Sequence, residues 1–100
     1  MIKTGSRLRS QVCDTEVIVV RSADSLDDLR AGGAPMVPIG STVAPSLTLD
    51  PALSEGNPMG KRYVDGTGAE VLVTKPGKGT LTIGATSMAI KSAKPLPASD

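Results

Sequence analysis

The sequence predicts a small all-β protein made of two related hairpin units, and three observations lead to this prediction. Residues 16–21 and 69–75 are rich in β-branched side chains and are bounded by polar residues, as strands are. The 100 residues include 11 glycines and 8 prolines, which favour turns over long helices. Tyr63 is the single aromatic residue. Because aromatic side chains bury large areas, we expect a modest core that needs packing between units or against a partner.

An internal repeat defines the two units. Residues 16–21 (EVIVVR) lead through a loop to residues 29–37 (LRAGGAPMV), and residues 70–75 (EVLVTK) lead to residues 81–89 (LTIGATSMA). Each copy has a strand that begins with glutamate, a return segment that begins with leucine, small residues and a methionine, which predicts a duplicated hairpin. Coincidence between two valine-rich hairpins is the alternative. Within one small domain we place the first unit at residues 10–39, a Pro/Gly-rich connector at 40–60, the second unit at 61–91 and a flexible tail at 92–100.

The connecting segments carry turn signals. In the connector, Asp50 can cap one helical turn with Pro51 at its first position. Ser25 is a possible cap for a turn within residues 22–28. Residues 76–79 (PGKG) are typical of a hairpin turn, and we expect them to join the strand before them to the strand after them.

The segments around the strands share a second pattern. Residues 31–36 (AGGAPM) and 83–88 (IGATSM) match in one glycine and in the methionine, and Cys13 follows Ser10 by three positions. In these features each half resembles the rubredoxin-like metal domain of desulforedoxin and of the desulfoferrodoxins, which has a Cys-x-x-Cys knuckle, a strand, a hairpin and a Cys-Cys-Gly-x-x-Met knuckle. The resemblance covers about half the chain and implies a fold. It does not imply the family's metal, because that site needs four thiolates and Cys13 is the only cysteine.

Cys13 is also the only candidate for thiol chemistry. The chain has no histidine, which removes Ser-His and Cys-His nucleophilic pairs. Asp14 and Glu16 lie beside Cys13, and their negative charge is expected to raise the pKa of the thiol, so we interpret Cys13 as buried or unreactive. The same three side chains could contribute to a metal site between subunits. A small metal or redox module that uses Cys13 at an oligomer interface is therefore the alternative function.

The remaining candidate sites have simpler structural interpretations. Asp24, Asp27 and Asp28 lack the spacing of a calcium loop and are expected to be solvated. An enzyme that uses Lys75 or Lys78 with Asp65 or Glu70 has no persuasive spacing to support it, and residues 76–80 lack the Walker pattern. Three methionines are expected to fill gaps in the core rather than to act as ligands: Met36, Met59 and Met88.

Charge and composition limit the partners. The net charge of +1 gives no global field towards nucleic acid or membrane, although acidic residues concentrate early in the chain and basic residues late. The single cysteine and the absence of a long apolar run predict a cytoplasmic protein. We expect a non-catalytic accessory or scaffold subunit, without cofactor, that associates with a larger enzyme or with itself. The candidate contact residues are Lys61, Arg62, Tyr63, Met36 and Met88, of which the first three are also a weak single-strand nucleic-acid clamp.

Overall fold

The computed structural model describes residues 2–41 and 47–91 and confirms the all-β prediction. Ten short strands form two antiparallel sheets, and the helical content of the described residues is limited to 3₁₀ turns at Asp24–Asp28 and Pro51–Leu53. The strands are β1 Arg7–Arg9, β2 Glu16–Arg21, β3 Leu29–Ala31, β4 Ala34–Pro35, β5 Val37–Pro38, β6 Arg62–Val64, β7 Glu70–Lys75, β8 Leu81–Ile83, β9 Thr86–Ser87 and β10 Ala89–Ile90.

The strand order of both sheets is palindromic. The larger sheet has the order β10-β6-β7-β2-β1-β5, and the smaller has β4-β3-β8-β9. If β1 to β5 are matched with β6 to β10, each order is unchanged on reversal. The two halves therefore relate by a pseudo-twofold axis that passes between β2 and β7 in one sheet and between β3 and β8 in the other. This arrangement confirms two related units packed together, but the hairpins within them are β1–β2 and β3–β4, and β6–β7 and β8–β9, rather than β2–β3 and β7–β8 as the repeat predicted.

The register obeys the same symmetry. Ile18 pairs with Leu72 at the centre of the β2–β7 ladder, and each is flanked on its other side by an arginine of its own unit. Both halves also repeat an irregular hydrogen bond: Gly5 N donates to Val19 O at 2.8 Å, and Gly60 N donates to Val73 O at 2.9 Å. Matching backbone bonds at matching positions favour duplication over coincidence between two valine-rich segments.

The core lies between the two sheets. Alternate residues of β2 and β7 point inward and are buried, as period-two strands require, while the next residues face outward. Leu29, Ala31 and Leu81 of the smaller sheet pack against this inner face of the larger sheet. The other side of the larger sheet, which we call the outer face, lies opposite the core. The full buried cluster is Leu8, Val17, Val19, Leu26, Leu29, Ala31, Met36, Tyr63, Ala69, Val71, Val73, Leu81 and Met88.

Several turns follow the sequence rules. Asp50 Oδ1 accepts a hydrogen bond from Ala52 N at 2.9 Å, and Pro51 opens the turn, as predicted. Gly32 and Gly33 both have positive φ in the two-residue turn between β3 and β4, a conformation that glycine adopts without a steric penalty.

Other expectations are corrected by the structure. Residues 76–79 do not form a hairpin turn, because β7 pairs with β2 and β6 whereas β8 pairs with β3 and β9. The segment instead carries the chain from one sheet to the other, and residues 22–28 do the same between β2 and β3. Ser25 is not a cap, since the turn begins after Ala23 without a side-chain hydrogen bond. Met59 is not in the core: it is 66% exposed, in a turn before β6.

The structure bears on only some of the predicted domain boundaries. β1 lies ahead of residue 10, where the first unit was predicted to begin. Residues 42–46 of the connector and the predicted flexible tail at 92–100 lie outside the described residues.

Candidate functional site

A buried polar network surrounds the single thiol. Cys13 lies in the loop between β1 and β2, and its Sγ contacts Ser10 Oγ and Thr15 Oγ1, each at 3.2 Å. Gly79 N, from the segment that links β7 to β8, donates to the same sulfur at 3.4 Å. Ser10 and Thr15 are almost completely buried, and Cys13 is partly buried. The thiol therefore sits where the loop of the first unit meets the second unit.

Asn57 holds this junction together from the connector. Its Nδ2 donates to Thr15 Oγ1 at 2.8 Å and to Gly79 O at 2.6 Å, while its Oδ1 accepts from Gly77 N at 3.3 Å. Only 3% of Asn57 is exposed. Because Thr15 Oγ1 accepts the proton of Asn57, its own hydroxyl proton is available to the sulfur of Cys13.

The hydrogen bonds explain the acidity of the thiol. Burial favours the neutral form, but bonds from Ser10, Thr15 and Gly79 together outweigh it and hold the pKa of Cys13 below its ordinary value. The expectation that neighbouring carboxylates raise this pKa is thus wrong in its direction. Sequence proximity misleads here, because the hydrogen-bond partners of the sulfur are Ser10 and Thr15 of the same loop and Gly79 of the segment between β7 and β8, rather than Asp14 and Glu16.

We expect alkylation of Cys13 by iodoacetamide to reach half its maximal rate at a lower pH than alkylation of N-acetylcysteine does. The thiolate is the nucleophile, so a depressed pKa moves the rate profile towards acid. Thr15→Val removes one donor and should move the profile back towards alkaline pH, with folding checked by circular dichroism. Ser25→Ala, a hydroxyl that contacts Thr67 instead, is the matched control and should leave the profile unchanged. A profile at or above that of N-acetylcysteine would contradict this assignment.

The structure does not gather the residues suggested for metal binding. Glu16 pairs across the sheet with Arg9 and Lys75, away from the sulfur of Cys13. Among residues 2–41 and 47–91, no group of three or more cysteine, aspartate or glutamate side chains is placed to hold a metal ion. Asp28, one of the early acidic residues, forms an ion pair with Arg30 at 3.1 Å.

The outer face of the larger sheet is the second candidate site. Directly paired residues of antiparallel strands point to the same face, so the register places four side chains in one row. The row crosses four strands in the order Arg7, Ile18, Leu72 and Arg62. Ile18 and Leu72 are partly exposed at the sheet centre. The buried residues of the smaller sheet cluster with Val17, Val19, Val71 and Val73, which point to the other side of the larger sheet, so the smaller sheet does not cover this row.

A buried carboxylate anchors one end of the outer face. The side chain of Glu70 is only 8% exposed and binds Lys91 Nζ at 3.1 Å and Arg62 Nη1 at 3.2 Å. The hydrogen bond from Lys91 is the main cause that holds the pKa of Glu70 below its ordinary value, and Arg62 adds to it. The ion pair with Glu70 therefore holds the guanidinium group of Arg62 against the sheet. On the other end, Arg7, Glu16, Ile18, Ile39, Thr74 and Lys75 line a shallow groove.

The candidate contact residues separate into two groups. Met36, Met88 and Tyr63 are buried in the core, so these three offer almost no surface to a partner in the folded chain. Lys61 and Arg62 are exposed, and only Arg62 belongs to the row on the outer face. Because Tyr63 points inward, it cannot provide the aromatic platform of a nucleic-acid clamp. Sequence reasoning missed Arg7, Ile18 and Leu72, although the alternation of residues 16–21 and 70–75 marks the last two as outward-facing.

Comparisons with protein-family models, with curated proteins and with solved structures found no match to this chain. No helix among the described residues has the length and apolar character needed to cross a membrane.

Proposed function

We propose that this chain is a non-catalytic, cytoplasmic accessory or scaffold subunit that associates with a larger protein or with itself. The docking surface in this proposal is the outer face of the larger sheet. The observation that carries it is the open row of Arg7, Ile18, Leu72 and Arg62, which both halves of the molecule build equally.

The construction of the row supports a role in binding. Ile18 and Leu72 give an apolar centre, and the flanking arginines can cover it with their aliphatic stems while they keep their charges in water. Interfaces combine an apolar centre with a polar rim, and arginine is enriched in them. The backbone of the row is already held in paired strands, so little backbone entropy is lost when a partner covers it.

The small core supports the same function. The buried cluster contains one aromatic side chain, Tyr63, and otherwise aliphatic residues, alanines and two methionines. Such a core supplies limited hydrophobic stabilisation for a chain of 100 residues. A partner that covers the outer face would bury further apolar area and so add to this limited stabilisation.

The test is isolation of the affinity-tagged chain from its native cells, followed by sizing and mass spectrometry of whatever accompanies it. The wild-type chain should elute in an assembly, and the double variant Ile18→Gln/Leu72→Gln should elute as a monomer, because it loses the apolar centre without a change in charge. Leu47→Gln/Leu53→Gln, which removes two apolar side chains from the connector, is the control and should keep the assembly. A monomeric wild-type chain, or an assembly that survives in the Ile18/Leu72 variant, would refute the proposal.

A further inference from the structure

The outer face is strongly basic, although the whole chain has a net charge of only +1. The register and the ion pair to Glu70 place basic side chains around two glutamates, Glu16 and Glu70. The basic residues of this face are Arg7, Arg9, Arg21, Arg62, Lys75 and Lys91.

The rest of the described chain has the opposite balance. The remaining basic residues are Lys3, Arg30, Lys61 and Lys78. The remaining acidic residues are more numerous: Asp14, Asp24, Asp27, Asp28, Asp50, Glu55 and Asp65. Charge is therefore segregated by face rather than by position along the chain. A strongly basic surface on a nearly neutral protein favours an anionic partner through electrostatic complementarity.

The chemistry of the outer face distinguishes between anionic partners. A surface that binds single-stranded nucleic acid uses aromatic side chains for base stacking, and the single tyrosine is in the core. Here the cationic residues instead frame the aliphatic pair Ile18 and Leu72. This combination matches a polypeptide that presents both carboxylates and apolar side chains.

We infer that the outer face of the larger sheet binds an acidic, partly apolar segment of a protein partner, with Arg7 and Arg62 each receiving a carboxylate and Ile18 and Leu72 contacting apolar side chains between them. This inference rests on the proposed function and names the chemistry of the partner.

The spacing of the row defines the segment more closely. Arg7 and Arg62 lie on strands that are three strand intervals apart, so their Cα atoms are separated by about 14 Å. An extended chain advances about 3.3 Å per residue, and its residues i and i+4 are about 13 Å apart on the same side. An acidic residue at i, an apolar residue at i+2 and an acidic residue at i+4 would therefore fit the row when the segment crosses the strands.

Face-to-face pairing with a second copy is disfavoured by the same charges. Two outer faces brought together would oppose six basic side chains to six others, with only two glutamates on each side to relieve the repulsion. A head-to-tail contact, in which the outer face of one copy meets the more acidic remaining surface of the next, is compatible with the charges. It would produce a ring or an open chain of copies. Sedimentation of the purified chain separates this outcome from binding of a different protein.

The test titrates the isotope-labelled full chain with a nine-residue peptide and follows backbone amide shifts by NMR. The peptide alternates serine with glutamate or leucine, so that glutamates occupy the first, fifth and ninth positions and leucines the third and seventh. We expect the shifts to concentrate on Arg7, Ile18, Leu72 and Arg62. Arg7→Gln/Arg62→Gln should weaken binding about tenfold, as loss of two ion pairs predicts. Arg30→Gln/Lys78→Gln, which removes the same charge from the smaller sheet and from the segment between β7 and β8, should change binding less than about twofold.

Several results would overturn the inference. A glutamine version of the peptide that binds as tightly would exclude recognition of carboxylates, and oligothymidylate of equal length that binds more tightly would indicate nucleic acid. Equal weakening by the two double variants would reduce the effect to non-specific charge. If none of the probes binds while the Ile18/Leu72 variant still loses its native assembly, the inference fails but the proposed function stands. If the wild-type chain is also monomeric in its native cells, both fail.

Discussion

Gly79→Ala should destabilise the protein by about 3 kcal/mol, at the upper end of the usual cost of overpacking. A Cβ at this position would lie 2.6 Å from Gly32 N and 3.0 Å from the carbonyl carbon of Ala31. Both are backbone atoms and cannot rotate away. Gly32 is also held by its own hydrogen bond to Thr80 O at 3.0 Å. The glycine is therefore required by a close approach of the two units, and relief of the clash would have to separate them.

Gly66→Ala is the matched control for this prediction. Gly66 has no atom within 4 Å of its would-be Cβ and does not have a positive φ. Alanine there should be neutral or slightly stabilising, because it restricts the unfolded chain. Urea unfolding followed by far-ultraviolet circular dichroism measures both variants. A loss below about 1 kcal/mol for Gly79→Ala would show that the units do not meet as described.

Asn57→Ala should cost about 3 kcal/mol as well, for a different reason. The substitution leaves Gly79 O, Gly77 N and Thr15 Oγ1 without the partners that Asn57 provides. Asn57 and Thr15 are nearly or fully buried. A buried polar group that loses its partner costs about 1–3 kcal/mol, and water can reach only part of this network. We expect the contacts among the loop between β1 and β2, the connector and the second unit to weaken together.

Gln11→Ala tests whether the effect belongs to burial rather than to the loss of any amide. Gln11 Nε2 donates to Pro35 O at 2.7 Å, but the bond is exposed to solvent. Water can replace it, so the loss of unfolding free energy should stay below about 1 kcal/mol. Equal effects at the two positions, measured by the same unfolding experiment, would remove Asn57 from its proposed role.

The sequence predicted the two units well and their strand partners poorly. The repeat of EVIVVR and EVLVTK located the central strands β2 and β7, because alternation and β-branching are local properties. It did not predict that β2 and β7 pair with each other, nor that β3 and β8, the strands that follow them in the chain, pair with each other in the second sheet. That choice is made by burial across the whole molecule, where two incomplete units gain a common core. β1, with one apolar residue in Arg-Leu-Arg, carried too little alternation to be recognised.

The candidate sites were less accessible to sequence reasoning. The sequence marked Cys13 as its only thiol, but the pKa of that thiol depends on Ser10, Thr15 and Gly79, and the last of these is 66 residues away. Asn57 gave no signal, since a lone asparagine beside proline is typical of a turn. The outer face was equally hidden, because its six basic residues come from five separate strands or segments and become one surface only through the register.

Hydroxyl-radical footprinting of the assembly isolated from native cells, compared with the free chain, tests the central claim most directly. The claim is that a partner covers the outer face. Ile18 and Leu72 should be oxidised in the free chain and strongly shielded in the assembly. Leu53 of the connector, which lies beside the hairpin turns of the smaller sheet, is the control and should be oxidised equally in both. Unchanged labelling of Ile18 and Leu72, with or without shielding of Leu53, would contradict the account and move the docking surface elsewhere.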